Sequence, residues 1–365
     1  MDQSAGGELA TKLGILRDAL ADHGLAAIRL RGQDWFGWAT CGGSSAVLMA
    51  SERGVADVLV TATDAWIVTD AIEAPRLAAE EVPPGLGVVE FPWAAPEERE
   101  SWVGDAARGG IVASDLPTDV EVPLPVELLL ARYRLLPSEV ERYRRLGREA
   151  SEAMTAALHA ATSTMTELEL AGEGARELLR RGIEPALILV AGEGRLPRHR
   201  HPRPTTERLG GRAMMVFCGR RAGLYANLTR FVAFGRPSHE DRRAAGAVAD
   251  VEAAAWDASR PGATLASAFH AIEAAYRSAG HPDAQLLHHQ GGITGYRARE
   301  VIAGPGAATL IEAGMALAWN PSLPGHKIED TVLVTDGGIE ILTLDSSWPV
   351  ITVAGRTRPD ILVRA

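Results

Sequence analysis

Lysine is almost missing from this chain. Of 37 lysines and arginines only Lys12 and Lys327 are lysines, a bias that, beside abundant Ala and Gly, reads as a GC-rich coding sequence. Cysteine is equally scarce. Cys41 and Cys218 stand far apart, which excludes a cysteine-based zinc framework and suits two free thiols. No apolar run approaches the roughly 18–20 residues that span a bilayer. The N-terminal MDQSAGGELATKLG lacks the basic and then apolar blocks of a secretory signal, so the expected address is the cytoplasm, with no membrane partner. Positive charge is also in deficit. A net charge of −10 argues against nucleic acid as a partner, the local exception being the basic stretch RLPRHRHPRP (195–204).

What is there describes a folded protein. With 365 residues, 46% hydrophobic and 23% charged, the chain can build two domains, each with its own core. The first part, residues 1–136, alternates helices and strands. TKLGILRDALADHGL has helical spacing. AAIRLRG, SAVLMAS, DVLVTA, AWIVTD and GGIVASD read as strands, and IEAPRLAAEEV as a helix. Together they predict an α/β unit with a mixed sheet. Trp35, Phe36 and Trp38 in QDWFGWATCGG form an aromatic strand-and-turn cluster, read either as core or as the wall of an entrance.

A boundary follows at residues 136/137. Pro137 and Ser138 begin a long amphipathic helix, and Thr166 is the N-cap candidate of MTELELAGEGARELLRRG. PALILVAG (185–192) and the hairpin MMVFCGRRAGLYANLTRFVAFG (214–235) supply strands. Two further helices, 239–259 and 265–280, precede a strand-rich end. The fold class is therefore α+β, with residues 137–365 placing helices around a curved antiparallel sheet.

Chemistry-bearing side chains gather in three segments. RHRHP sets His199 and His201 on one face if extended. HHQGGITGYRAREV (288–301) interleaves glycines, which mark bulges or close backbone approach, with His289, Gln290, Thr294, Tyr296, Arg297, Arg299 and Glu300. In a strand, His288 and His289 would face opposite ways, and His199 and His288 are read as structural or surface residues. HKIEDTVLVT places Glu329 and Asp330 at the mouth of an apolar run, either exposed to solvent or locked in a site. Cys218, inside an apolar run, is read as a small buried hydrophobe. The hairpin itself has a polar Asn-Leu-Thr-Arg insert of the kind that carries catalytic acids, yet it contains no Asp or Glu.

In order and spacing these blocks resemble the family of aminopeptidase P, methionine aminopeptidase, prolidase and creatinase, the pita-bread fold. The helix after PSEVERYRRLGREA, the MTELELA helix, LTRFVAFG, the His-Gly strand and GMALAWNPSLPGHKIEDTVLVT carry the likeness. It implies a creatinase-like N-terminal domain, a homodimer and, in the metallopeptidases, two metal ions on two aspartates, a histidine and two glutamates. Compared position by position, this sequence offers Phe217, Asn227, Ile293, Asn320 and Glu329 there. One carboxylate in five does not hold such a pair, because amide, phenyl and alkyl groups do not replace charged ligands on a hard cation. The expectation is no metal and no cofactor.

Creatinase-like members implied by the resemblance cleave C–N bonds of small molecules without a metal. By that likeness His201 is the acid/base, Glu329 its assistant and His289 a further pocket group. Tyr296, Asn227 and Asn320 are expected to bind substrate. Phe217 and Ile293 are expected to wall the pocket, and Arg230, Arg297 or Arg299 to clamp a substrate carboxylate. For Arg230, simply holding the sheet edge is an equal alternative. The expected function is metal-independent cleavage of a C–N bond in a small amino-acid-derived substrate. A non-catalytic binding protein and a metal-dependent Xaa-Pro aminopeptidase or dipeptidase are the alternatives.

Overall fold

The computed structural model describes residues 3–364. The chain divides into two compact units, Met1–Glu139 with Ala222–Leu224, and Val140–Arg221 with Tyr225–Ala365.

In the first unit six strands lie in the order Gly87–Phe91, Ala65–Asp70, Arg53–Thr61, Ala27–Gly32, Val112–Ser114, Val122–Pro123. Pairing is mixed: the two inner pairings around Arg53–Thr61 are antiparallel and the other three parallel. Ala27, Leu59, Val68 and Val112 pack against Val103 and Ala107 at the end of helix Pro96–Ala106. Two segments differ from the sequence reading. QDWFGWA is a helix, Gln33–Ala39, with Trp35, Phe36 and Trp38 all buried. Trp35 meets Trp38 edge-on at 5.4 Å and carries the Arg132 guanidinium 4.2 Å above its ring, so the aromatics are core. SAVLMAS forms no strand. Its first residue is tied to the following strand by Val55 N–H donating to the Ser45 carbonyl, and Val47, Leu48 and Met49 are exposed.

The second unit is built on two larger sheets, beside two two-stranded ribbons, Ser322–Leu323 with His326–Lys327 and Val350–Val353 with Arg356–Pro359. A four-stranded sheet runs Leu362–Arg364, Leu224–Phe234, Arg212–Arg221, Glu184–Gly192. A five-stranded antiparallel sheet runs Val301–Ile302, Gly291–Thr294, Ala316–Trp319, Asp330–Thr335, Gly338–Ile341. A β-bridge, Thr229 to Glu329, joins them. The hairpin at Ala222-Gly223 turns with both residues at positive φ (50° and 76°), matching the twist of its strands. Thr166 and Ser238 each close a capping box at the start of helices Glu167–Leu179 and His239–Ala258.

The long helix Pro137–Ala160 approaches the end of the five-stranded sheet at Gly147, where an added Cβ would sit 2.3 Å from the Leu342 carbonyl oxygen. Backbone cannot yield as a flexible side chain does. Gly147→Ala should therefore destabilise the protein by about 1–3 kcal/mol through overpacking, although alanine is the better helix former by about 1 kcal/mol. Urea unfolding measures the difference. A variant as stable as its parent would mean that helix and sheet do not pack this closely.

Candidate active site

Glu329 and Asp330 are consecutive at the entry to a strand, so their side chains leave on opposite faces. Both are buried. Asp330 accepts from Arg230 Nη2 (2.7 Å), Thr343 Oγ1 (2.7 Å) and Arg358 Nη2 (2.9 Å). Arg358 in turn pairs with buried Glu252 and lies 4.1 Å above the Trp256 ring. Burial, opposed by Arg358, raises the pKa of Glu252 above the usual carboxylate range. On the other face Glu329 accepts from Arg299 Nη2 (2.6 Å), Lys327 Nζ (2.9 Å) and Thr229 Oγ1 (3.1 Å). Burial works against its charge, but Lys327 and Arg299 prevail and bring its pKa down to about 2. Each carboxylate thus lies between two cations.

The histidines come from two unlike segments. His201 is exposed on an irregular loop. That loop is tied at its ends by buried Glu167, which accepts from Gly192 N–H (2.9 Å), Thr205 N–H (2.9 Å) and Thr205 Oγ1 (2.8 Å). His288 and His289 lie just before the strand Gly291–Thr294. Gln290 pins them, donating to the His288 carbonyl (2.5 Å) and accepting from the Tyr276 hydroxyl (3.0 Å). Gly291 and Gly292, at φ +106° and +147°, run so close to the neighbouring strands that a Cβ at either would stand 2.1 Å from a carbonyl oxygen. Both preceding rings lie outside the strand and escape its alternation. His288 and His289 stack at 4.5 Å with 22° between planes, where regular strand geometry would separate them. His201 meets them with its Nε2 2.8 Å from His288 Nε2.

These groups surround a cavity of about 440 Å³, a size suited to a small molecule. Leu187, Leu189, Val216 and Cys218 make its apolar wall. His201, His289, Asn320, Lys327, Arg299 and Glu329 face them, with Arg203 and Ala298 completing the lining. Partial desolvation where its ring meets the cavity, together with the Lys327 charge, lowers the pKa of His201. Burial and Arg299 bring His289 down to about 4, and burial, Lys327 and His289 bring His288 down to about 3. The imidazoles are neutral at pH 7. Burial pushes the Cys218 thiol up to about 12, which keeps it protonated and unreactive.

Of the residues singled out in sequence, the structure brings His201, His289, Asn320, Arg299 and Glu329 together. It places six elsewhere. Phe217 turns to helix Glu167–Leu179, where its ring abuts Gly174, while its neighbours Val216 and Cys218 face the cavity. Strand alternation makes a one-residue offset a change of face. Ile293 is fully buried within its sheet, paired with Leu317 and Val301. Asn227 joins hairpin to sheet, donating from Nδ2 to Thr294 Oγ1 (2.9 Å) and exchanging backbone hydrogen bonds with Thr331 Oγ1. Tyr296 is buried outside the cavity lining, its N–H donating to Glu300 Oε1 (3.0 Å). Arg297 also lies outside it, its carbonyl accepting from Gly295 N–H and Thr294 Oγ1. Arg230 is spent on Asp330 and on the carbonyls of Thr229, Glu329 and Thr343, which removes it from any substrate.

Lys327, His288 and Arg203 were missed. For Lys327 a signal existed: it is one of two lysines, two residues before Glu329, in a chain that elsewhere uses arginine.

The family model for metallopeptidase family M24 matches residues 141–336, just over half of the chain. The chain belongs to metallopeptidase family M24. Its second unit has the pita-bread fold. An uncharacterised peptidase of Staphylococcus aureus (strain MW2) is 30% identical over 125 residues, 32% of this chain and 35% of that protein, so the match spans about a third of that relative. An Xaa-Pro dipeptidase from Bacillus anthracis superposes with a TM-score of 0.79 at 19% identity, covering 98% of this chain and 100% of its own. A prolidase from Pyrococcus horikoshii OT3 gives 0.78 at 18% identity, covering 92% and 99%. At such identities the superpositions show the fold alone.

A metal pair of the kind the family name implies does not fit the residues present. Among the described residues lining the cavity Glu329 is the single carboxylate, and both its oxygens are engaged by cations. Asn320 offers a neutral amide, and Asn227 and Phe217 do not face the cavity.

Two outcomes test this electrostatic frame. Arg230→Ala should lower stability by about 3–5 kcal/mol in denaturant unfolding, because it strips a partner from a buried carboxylate; a loss under 1 kcal/mol would contradict the burial. Glu329 has a folded pKa depressed to about 2 from an ordinary 4.5, so its contribution is full above about pH 4.5 and is lost as pH falls toward 2. Glu329→Gln should therefore be markedly less stable than its parent at pH 6, with the gap closing by about pH 2. A gap independent of pH would show that Glu329 is not held ionised.

Proposed function

We propose that this cavity cleaves a C–N bond in a small amino-acid-derived substrate by proton transfer through His201, without a metal pair. The observation that carries the reading is the grouping of neutral His201 and His289 with Lys327, Arg299 and a single, fully countercharged Glu329 around one small cavity. His201 takes a proton from the attacking water and returns it to the departing nitrogen. The hydroxide adds to the carbon as the C–N bond breaks, so atoms and charge balance. Negative charge developing on the substrate oxygen faces Arg299 and Lys327 in a setting partly closed to water, where such contacts are strong. Asn320 Oδ1, buried and without a protein partner, accepts from a substrate N–H. Arg203 on the lining receives the substrate carboxylate. Glu329, ionised and doubly paired, holds Lys327 and Arg299 in place and leaves water activation to His201. Cytoplasmic operation as a homodimer belongs to the same proposal. Among the described residues no helix is long and apolar enough to cross a membrane.

A metal-dependent Xaa-Pro dipeptidase is the rival reading, favoured by the likeness to an Xaa-Pro dipeptidase and a prolidase and opposed by the ligand set. Hydrolysis of N-acyl, N-carbamoyl and amidino amino acids and of Xaa-Pro dipeptides, each with EDTA and with added Mn²⁺, separates the two. Turnover should persist in EDTA, and His201→Ala should reduce it at least about a hundredfold with an unchanged melting temperature. Activity that appears only with divalent ions and survives His201→Ala would sink the proposal. Absence of turnover on every class would favour a binding protein.

A further inference from the structure

We propose that His201, His288 and His289 form a mononuclear transition-metal site, and that an ion held there withdraws His201 from proton transfer. The second half rests on the reading of His201 as the proton carrier; the first does not.

Each ring presents one nitrogen, and the three nitrogens lie within 4.8 Å of one another. A tetrahedral ion with imidazole nitrogens at about 2.0–2.1 Å holds its ligands about 3.3 Å apart. The 2.8 Å contact between His201 and His288 must therefore open by about half an ångström. The fold allows this on one side: His201 is exposed on its loop, whereas His288 and His289 are fixed through Gln290. A second observation concerns His289, which keeps a buried Nδ1 without a hydrogen-bond partner in the protein, while His288 presents to the cluster the Nε2 that meets His201. Buried polar atoms are seldom left so in folded proteins.

The donor set selects the ion. Three uncharged imidazoles without a carboxylate suit Zn²⁺, Cu²⁺ or Ni²⁺ and offer little to Mg²⁺ or Ca²⁺, which take oxygen ligands. Lys327 and Arg299 outnumber Glu329 nearby, so the fourth ligand is an anion admitted through the cavity: hydroxide, chloride or a carboxylate.

Metal-stripped protein titrated with ZnCl2 by calorimetry, with elemental analysis after gel filtration, should take up one ion per chain and should take up none from MgCl2. His288→Ala and His289→Ala should each weaken Zn²⁺ binding at least about a hundredfold, and His199→Ala, on the same loop outside the cluster, should not. Co²⁺ added to the unmodified protein should give the intense visible absorption of a tetrahedral nitrogen site, a readout that needs no variant to fold. No uptake, two ions per chain, or uptake indifferent to both substitutions overturns the site. Where a substrate is turned over, activity should fall in step with Zn²⁺ occupancy. Activity that rises with occupancy overturns the silencing and, with it, the metal-independent reading, while leaving the site standing.

Discussion

Two neighbouring carboxylates that cannot point the same way organise the second unit. At the entry of the strand Asp330–Thr335, alternation sends Asp330 to one face of the sheet and Glu329 to the other. Two buried anions so close together are tolerable only if each is fully compensated. The chain supplies Arg230 and Arg358 on one side and Lys327 and Arg299 on the other. Because Arg230 also reaches the Glu329 and Thr343 carbonyls, the structural half of the arrangement holds the backbone from which the cavity half projects.

That compensation decides the state of the histidines. Arg299 and Lys327 are held against Glu329; the Lys327 charge adds to burial in disfavouring imidazolium at all three rings, and Arg299 does so at His201 and His289. Neutral imidazole is at once the form of a general base and the form of a metal ligand. The same charges therefore make both the proposed proton transfer and its proposed interruption by an ion physically consistent.

Much of this was legible in sequence. Caps at Thr166, the two helices after Ser238 and the family likeness rest on local pattern, which tertiary context reinforced. What failed did so for two physical reasons. Faces were misjudged where a single residue of register matters: Phe217 and Val216 differ by one position and look out on opposite sides of the sheet. Side-chain destinations were left open or missed where partners are remote in sequence. Nothing around Arg230 announces Asp330, a hundred residues away, and nothing around His288 announces His201, 87 residues upstream. His288 and His289 stack ahead of the strand Gly291–Thr294 rather than within it, so dipeptide alternation predicted the wrong geometry for them.

The scarcity of lysine carries one further step. In a chain that meets nearly every need for positive charge with arginine, both lysines are buried and paired: Lys12 with Glu8 and Glu139, and Lys327 with Glu329. Arginine's planar fork engages a carboxylate in parallel hydrogen bonds and demands room, whereas an ammonium is a compact point charge on a slender stem. At Glu329, Arg299 and Thr229 already take part of the carboxylate's periphery, leaving space for a single donor. An arginine at position 327 would intrude on the cavity that Lys327 now lines. The lysine is the residue that neutralises Glu329 while keeping the cavity open.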